Sequence, residues 1–304
     1  MKKFLSLLLA FTMLISLSIP VFAIENLNPE LPTDNITFTD AYINFSDQLN
    51  ELGISASTCF EDFVNGYKCT SYDSLQQYID SSIDKEIINA TEYESIISNN
   101  IQYALEHSDQ QNEYATPYSV ASKWYDNIGT SSPTLTHAAQ YDKYNILSNV
   151  KKGDILQETA GLIAQYTGHI AIIQGKYWDS TYGQFYIRTI EAGAFGVVYG
   201  VLDDTRVDQR GVYMHYVKDA ASQKIDGAIN FCINQLGKPY NWDGILGAIE
   251  KCHISTEAPA WYCSELVWSA YYNQGINIYG TGTPKNIYRP ENFAASSKLG
   301  SRNI

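Results

Sequence analysis

The chain has 304 residues, enough for one large domain or two modest ones with a real hydrophobic core. At 45% hydrophobic and 17% charged it reads as globular, which excludes a disordered or collagen-like chain. Twenty basic against 33 acidic residues give a net charge of -13, a surface that repels phosphate backbones and anionic lipid and argues against a nucleic-acid partner. Tyrosine is abundant at 24 residues, a composition suited to contact with sugars or peptides.

Lys2 and Lys3 precede an apolar run, Phe4 to Ile19, diluted by Ser6, Thr12, Ser16 and Ser18. Pro20 breaks the run and Val21-Phe22-Ala23 closes it. This pattern predicts a secretory signal peptide over 1–23, cut after Ala23. Its removal leaves 18 basic and 33 acidic residues, a charge of -15. No later stretch approaches 18 uninterrupted apolar residues, so no membrane span is expected after cleavage.

Residues 24–117 are predicted to form a small helical region and its linker. Tyr42, Phe45, Leu49 and Leu52 recur at helical spacing, as do Ile97, Ile101 and Leu105. Thr70-Ser71 precedes another run that reaches Ile83. The polar stretch Ser108–Thr116 ends before Pro117 and reads as a linker. The remainder, 118–304, is expected to carry the chemistry by itself.

After Tyr118 the pattern turns to short strands. Gly153–Leu156, His169–Ile173, Gln184–Glu191, Val197–Leu202 and Gly211–Val217 are strand candidates, and His169–Ile173 is β-branched and bounded by Gly168 and Gly175. Ile225–Leu236 is a predicted helix stopped by Gly237, and Tyr262–Asn273 is another. Strands in succession flanked by helices predict an α+β fold.

Three of these elements converge on one chemistry. A polar turn near residue 180 makes paired residue numbers add to about 360, which sets His169 directly opposite Glu191, within reach of a carboxylate–imidazole contact. A slip of one residue would part them onto opposite faces. Cys263 opens the predicted helix Tyr262–Asn273, where the dipole and a nearby imidazole favour thiolate. Nucleophile, base and orienting acid are thus all represented.

The cysteines fit an extracellular reading. Five are present, and local pairing of Cys59 with Cys69 and of Cys232 with Cys252 would leave Cys263 free, one of three connectivities open to the other four; the alternative is that all five stay reduced. His107, His137, His215 and His253 lack a paired acid. The chain has no Cys-x-x-Cys, no His-Glu-x-x-His and no Gly-rich phosphate loop opening a helix, so no metal and no cofactor are expected.

Leu236–Gly244 (LGKPYNWDG) followed by Tyr262–Tyr271 (YCSELVWSAY) resembles the nucleophile region of NlpC-type papain-like cysteine peptidases. Gly168–Ile173 (GHIAII) and Thr189–Ala192 (TIEA) resemble that superfamily's histidine strand and the strand after it. The histidine strand precedes the cysteine helix, which is the order of the circularly permuted, YiiX/YycO-like branch. The resemblance spans Gly153 to Asn292, nearly half of the chain, and does not extend to the helical region. It implies a permuted papain-like domain with an antiparallel sheet and a nucleophile helix. It also implies Cys263 as nucleophile, His169 as general base and Glu191 as the residue that orients the histidine.

By the same resemblance Tyr240, in Gly-Lys-Pro-Tyr, stands beside the site, where it either packs or adds a hydroxyl to the oxyanion hole alongside the Cys263 N–H. Ser264 and Glu265 match the motif without needing a catalytic role; Ser264 is a candidate helix cap. The implied activity is a secreted or cell-wall hydrolase that cleaves amides of cell-wall peptides through a thioester. Two rivals stand beside it: a lipid thioesterase or acyltransferase on the same triad, and a binding domain that has lost the reaction. The partners are correspondingly peptide, peptidoglycan or acyl-lipid.

Overall fold

The computed structural model describes residues 37–107, 124–126, 134–158, 168–193, 196–241, 258–280, 290 and 293–304. The leader at 1–23, the linker at 108–116, Cys252 and His253 lie outside the described residues.

Thr37 and Asp40 open the first helix with a capping box. The Thr37 hydroxyl accepts the Asp40 N–H at 3.1 Å and the Asp40 carboxylate accepts the Thr37 N–H at 3.3 Å. In α1 (Phe38–Glu51), Tyr42, Phe45 and Leu49 are buried on one stripe as their spacing predicts. Leu52 is the C-cap and is 57% exposed, so the stripe ends one turn early. α2 (Phe60–Lys68) follows, with Cys59 as its N-cap and Cys69 as its C-cap. Ten residues of helical rise keep these two apart by about 15 Å, against about 5.5–6 Å for a disulfide. Both are free thiols, so the expected Cys59–Cys69 pairing is corrected. α3 (Leu75–His107) is one helix of 33 residues where the sequence shows two separate stripes. Its buried Glu86 accepts the N–H groups of Ser57 and Thr58, each at 2.8 Å, and so ties down the loop between α1 and α2.

Two short strands, β1 (Tyr125–Asp126) and β2 (Thr134–Leu135), pair with each other. A short helix α4 (Ile146–Asn149) precedes the main sheet. That sheet contains β3 (Ile155–Glu158), β4 (His169–Asp179), β5 (Gln184–Gly193), β6 (Gly196–Leu202), β7 (Val212–Val217) and β8 (Leu299–Arg302). The spatial order is β6-β5-β4-β3-β7-β8, and every neighbouring pair runs antiparallel. Helices α5 (Asp204–Arg210), α6 (Ser222–Ile233) and α7 (Cys263–Tyr272) complete the described elements. The fold is α+β with a helical N-terminal region.

The sheet is buried on both faces. Leu156, Ala171, Ile173, Ile187, Leu202 and Met214 form one layer with Ile146 and Val150 around α4. The larger core joins Ile155, Ile170, Ile172 and Ile190 to α6 and α7. Tyr42, Phe45, Phe63 and Tyr78 of the N-terminal helices belong to that same core. Polar ties reinforce the union. Lys152 bridges Asp62 of α2 and Asp226 of α6, both at 2.6 Å. Asn100 of α3 donates to the carbonyls of Asn234 and Leu236 at 3.0 and 2.8 Å. The helical region and the sheet therefore share one hydrophobic interior. Among the described residues no helix is long and apolar enough to cross a membrane.

Candidate active site

The hairpin β4–β5 sets the base and its acid. Paired residue numbers add to 363 from the turn up to Gly175 and to 362 from Ile173 onward, with a bulge between them at Gln174. Continued one step beyond Ile172↔Ile190, the register places Glu191 across from Ala171. The directly opposed pairing expected from a turn at residue 180 is corrected: His169 and Glu191 are diagonal neighbours on one face, since 169 and 171 share a side of the strand. The contact is made all the same. His169 Nε2–H donates to Glu191 Oε2 at 2.5 Å, which leaves Nδ1 for the sulfur of Cys263.

Glu158, the register partner of His169 on β3, lies on the same face. Arg206 of α5 joins both carboxylates. Its Nη2 and Nη1 donate to Glu191 Oε2 and Oε1 at 2.7 and 2.9 Å, and its Nε donates to Glu158 Oε1 at 2.5 Å. Glu158, Glu191 and Arg206 are all largely withdrawn from water. Gly200 on β6 makes room for this arrangement: a Cβ there would lie 1.8 Å from Glu191 Oε1. Sequence reasoning missed Arg206 and Glu158. One signal was available, because Arg206 sits in the first turn of its helix, where the dipole opposes a cation.

Cys263 is the first residue of α7, whose residues 263 to 271 are all buried. Tyr262 is the N-cap rather than Ser264, and Glu265 accepts the Tyr262 N–H at 3.5 Å. Burial alone would raise the Cys263 thiol, but the hydrogen bond and charge of His169 and the N–H groups of Ile170 and Ser264 outweigh it and hold the pKa below the usual value. Burial alone would likewise lower the His169 pKa, yet hydrogen bonds to Cys263 and Glu191 raise it to about 10. Glu191 shows the same contest: burial raises its pKa, and Arg206 and His169 override that and hold it well below the carboxylate range. All three directions favour thiolate, imidazolium and carboxylate together.

Tyr240 arrives by a different route. Residue 240 pairs in a parallel bridge with Trp261, and Trp261 N–H donates to the Pro239 carbonyl at 3.1 Å. The Tyr240 hydroxyl meets both the sulfur and the backbone N–H of Cys263, and burial together with the Cys263 charge raises its pKa. Gly196 admits this loop, since a Cβ there would lie 2.3 Å from the Lys238 carbonyl oxygen.

The other candidates stay apart. Cys232 is a buried thiol on α6, and its proposed partner Cys252 lies outside the described residues. His215 bonds Gln157 Oε1 at 2.8 Å, and burial lowers its pKa. His137 stacks on Trp124 with ring centroids 4.5 Å apart and bonds Thr136. Among the described residues no group of three His, Cys, Asp or Glu side chains is arranged to hold a metal ion.

The structure thus brings Cys263, His169, Glu191 and Tyr240 together, and adds Arg206 and Glu158 behind them. No family model matches the chain, and neither the curated proteins nor the solved structures hold a match.

Proposed function

We infer that the protein is a cysteine hydrolase that cleaves amide bonds. The observation that carries this reading is the His169 imidazole held between Glu191 and the Cys263 sulfur at a helix N-terminus. In the reaction the thiolate attacks the carbonyl carbon, a C–S bond forms, and the carbonyl electrons move onto oxygen. The Tyr240 hydroxyl and the Cys263 N–H supply donors for that oxyanion. Collapse breaks the C–N bond as His169 passes its proton to the departing nitrogen. Water then gives a proton to His169 and adds to the thioester, and Cys263 departs as thiolate.

The resemblance to permuted NlpC-type peptidases supports a papain-like domain and peptide amides of the cell wall as substrate. The charged start and apolar run of residues 2–23 support secretion. The test is mass spectrometry of purified peptidoglycan and, separately, of acyl-lipids after incubation with the protein and with Cys263→Ala. New peptide termini with the unaltered protein alone support the reading. Released fatty acid without new termini replaces it with a lipid thioesterase, and no product of either kind overturns it.

A further inference from the structure

Two carboxylates and one guanidinium lie behind a single imidazole, and Glu191 is the carboxylate that bonds its Nε2. We propose that Arg206 is a positioning residue of the site: it orients Glu191 toward His169 and cancels one of the two carboxylate charges on that face, while Glu158 anchors Arg206. The inference rests on the reading of Cys263 as the nucleophile.

The geometry is that of a clamp. Two parallel N–H bonds from Arg206 hold both oxygens of Glu191, which fixes the plane of the carboxylate presented to Nε2. The Thr189 hydroxyl adds a bond to Oε1 at 3.2 Å, and Arg206 grips both oxygens at once. Arg206 is held in turn by the Glu158 bond and by donation from Nη1 to the Val201 carbonyl at 3.0 Å. Its backbone is fixed as well, because the Asp203 side chain caps α5 by accepting the Arg206 N–H at 2.9 Å. Gln140 N–H donates to the other Asp203 oxygen at 3.1 Å, so the cap belongs to the body of the fold.

The charge argument gives a signature that packing alone does not. The groups around His169 are Glu158 from β3, Glu191 from β5, Arg206 from α5 and Cys263 from α7, with the Tyr240 hydroxyl beside the sulfur. A positive charge among them helps both Cys263 and His169 to lose protons, and a negative charge hinders both. Loss of Arg206 therefore moves both titrations to higher pH. Loss of Glu191 or of Glu158 moves them to lower pH. A variant that merely loosens the structure lowers the rate without sorting itself by sign.

The experiment uses the full chain and needs no substrate. The rate of Cys263 alkylation by iodoacetamide is followed against pH by peptide mass spectrometry, and the His169 ring is titrated by NMR. Arg206→Met is expected to move the profile up by roughly one pH unit, about a tenfold slower reaction on the acid limb. Glu191→Gln and Glu158→Gln are expected to move it down. The charge-balanced pair Arg206→Met with Glu158→Gln is expected to return it toward the original position. Glu158→Gln carries the test by itself if Arg206→Met does not fold. A profile that stays in place, or that moves the same way for Arg206→Met and Glu191→Gln, overturns the proposal. Alkylation that follows these signs in a protein that cleaves no amide sinks the hydrolase reading and leaves Arg206 in its role. A Cys263 that resists alkylation at every pH sinks both.

Discussion

Glu191 reaches His169 along a diagonal, and Gln174 decides that it can. Without the extra residue at 174, the register near the turn would continue and set Glu191 across from Ile172, on the face of β4 opposite His169. The bulge shifts the pairing by one and returns both side chains to one side. Gln174 is itself pinned, because its Oε1 accepts Arg188 Nε–H at 2.8 Å. Arg188 in turn donates to the Ala56 carbonyl at 2.9 Å and stacks on Tyr177 with its guanidinium carbon 3.5 Å from the ring centroid. A contact of that kind is worth about 2 kcal/mol when desolvated, enough to hold a bulge that costs a ladder bond.

The space above Gly200 gives the first prediction. Gly200→Ala puts a methyl 1.8 Å from Glu191 Oε1 and 2.7 Å from Thr189 Oγ1, where the carboxylate now lies. The carboxylate must move, and a displacement near 1 Å costs about 10²-fold in rate. Steady-state hydrolysis, or Cys263 alkylation at neutral pH, measures it. A variant as active as the parent would mean that Glu191 need not stay in its present place.

Thiol chemistry gives the second. Cys69 is exposed and Cys263 is buried, so reactivity ordered by exposure would favour Cys69. The lowered Cys263 pKa predicts a different order at neutral pH and below, where Cys263 holds a larger thiolate fraction than an unshifted thiol. The Cys263 rate should rise through its lowered pKa and hold until His169 loses its proton near pH 10. Peptide mapping in a Cys69→Ser background isolates it. The same reaction in His169→Ala is expected to fall by about 10² to 10⁴.

Acid stability gives the third. The folded pKa of Glu191 lies below its unfolded value, so its contribution is present above about pH 4.3 and is lost as pH falls through the folded pKa. Glu191→Gln removes that contribution and leaves Arg206 short of a partner, at a cost of about 3 kcal/mol near neutrality. Urea unfolding at pH 7 and at pH 3 should show the gap between parent and variant narrowing in acid. A gap that widens in acid contradicts the assigned direction.

Shared packing gives the fourth. A chain that starts at Tyr118 exposes the core faces left by Tyr42, Phe45, Phe63 and Leu75 and loses the Asn100 bonds to residues 234 and 236. It is expected to be unfolded or aggregated by circular dichroism and gel filtration, and inactive. A folded and active 118–304 fragment would restore the independent domain that the sequence pattern suggests.

The strands that carry the site announce themselves locally. His169–Ile173 is β-branched between two glycines, Gln184–Glu191 alternates, and Cys263 opens a run long enough for a helix. The register between them does not, because every residue from Ile170 to Gln174 is buried and no polar alternation marks the bulge. Arg206 escapes for another reason: a helix of seven residues has too little periodicity to show which side chain points inward. Its carboxylates lie 48 and 15 positions away, and only the folded sheet aligns them. The 33-residue α3 shows in the sequence only as two separate stripes, one reaching Ile83 and one over Ile97, Ile101 and Leu105, and packing joins them into one helix. Cys59 and Cys69 mislead because closeness in sequence means little once a helix spans the gap.

The complete burial of residues 263 to 271 ties the lifetime of the thiolate to that of the fold. Helix α7 packs on β4, β5 and α6 at once, so its turns cannot fray separately. Amide hydrogens of Leu266 and Val267 should exchange only when the whole molecule opens, and thermal inactivation should track global melting with no earlier step. Proteins built this way do not fade as they warm; they retain their full nucleophile until they lose their shape.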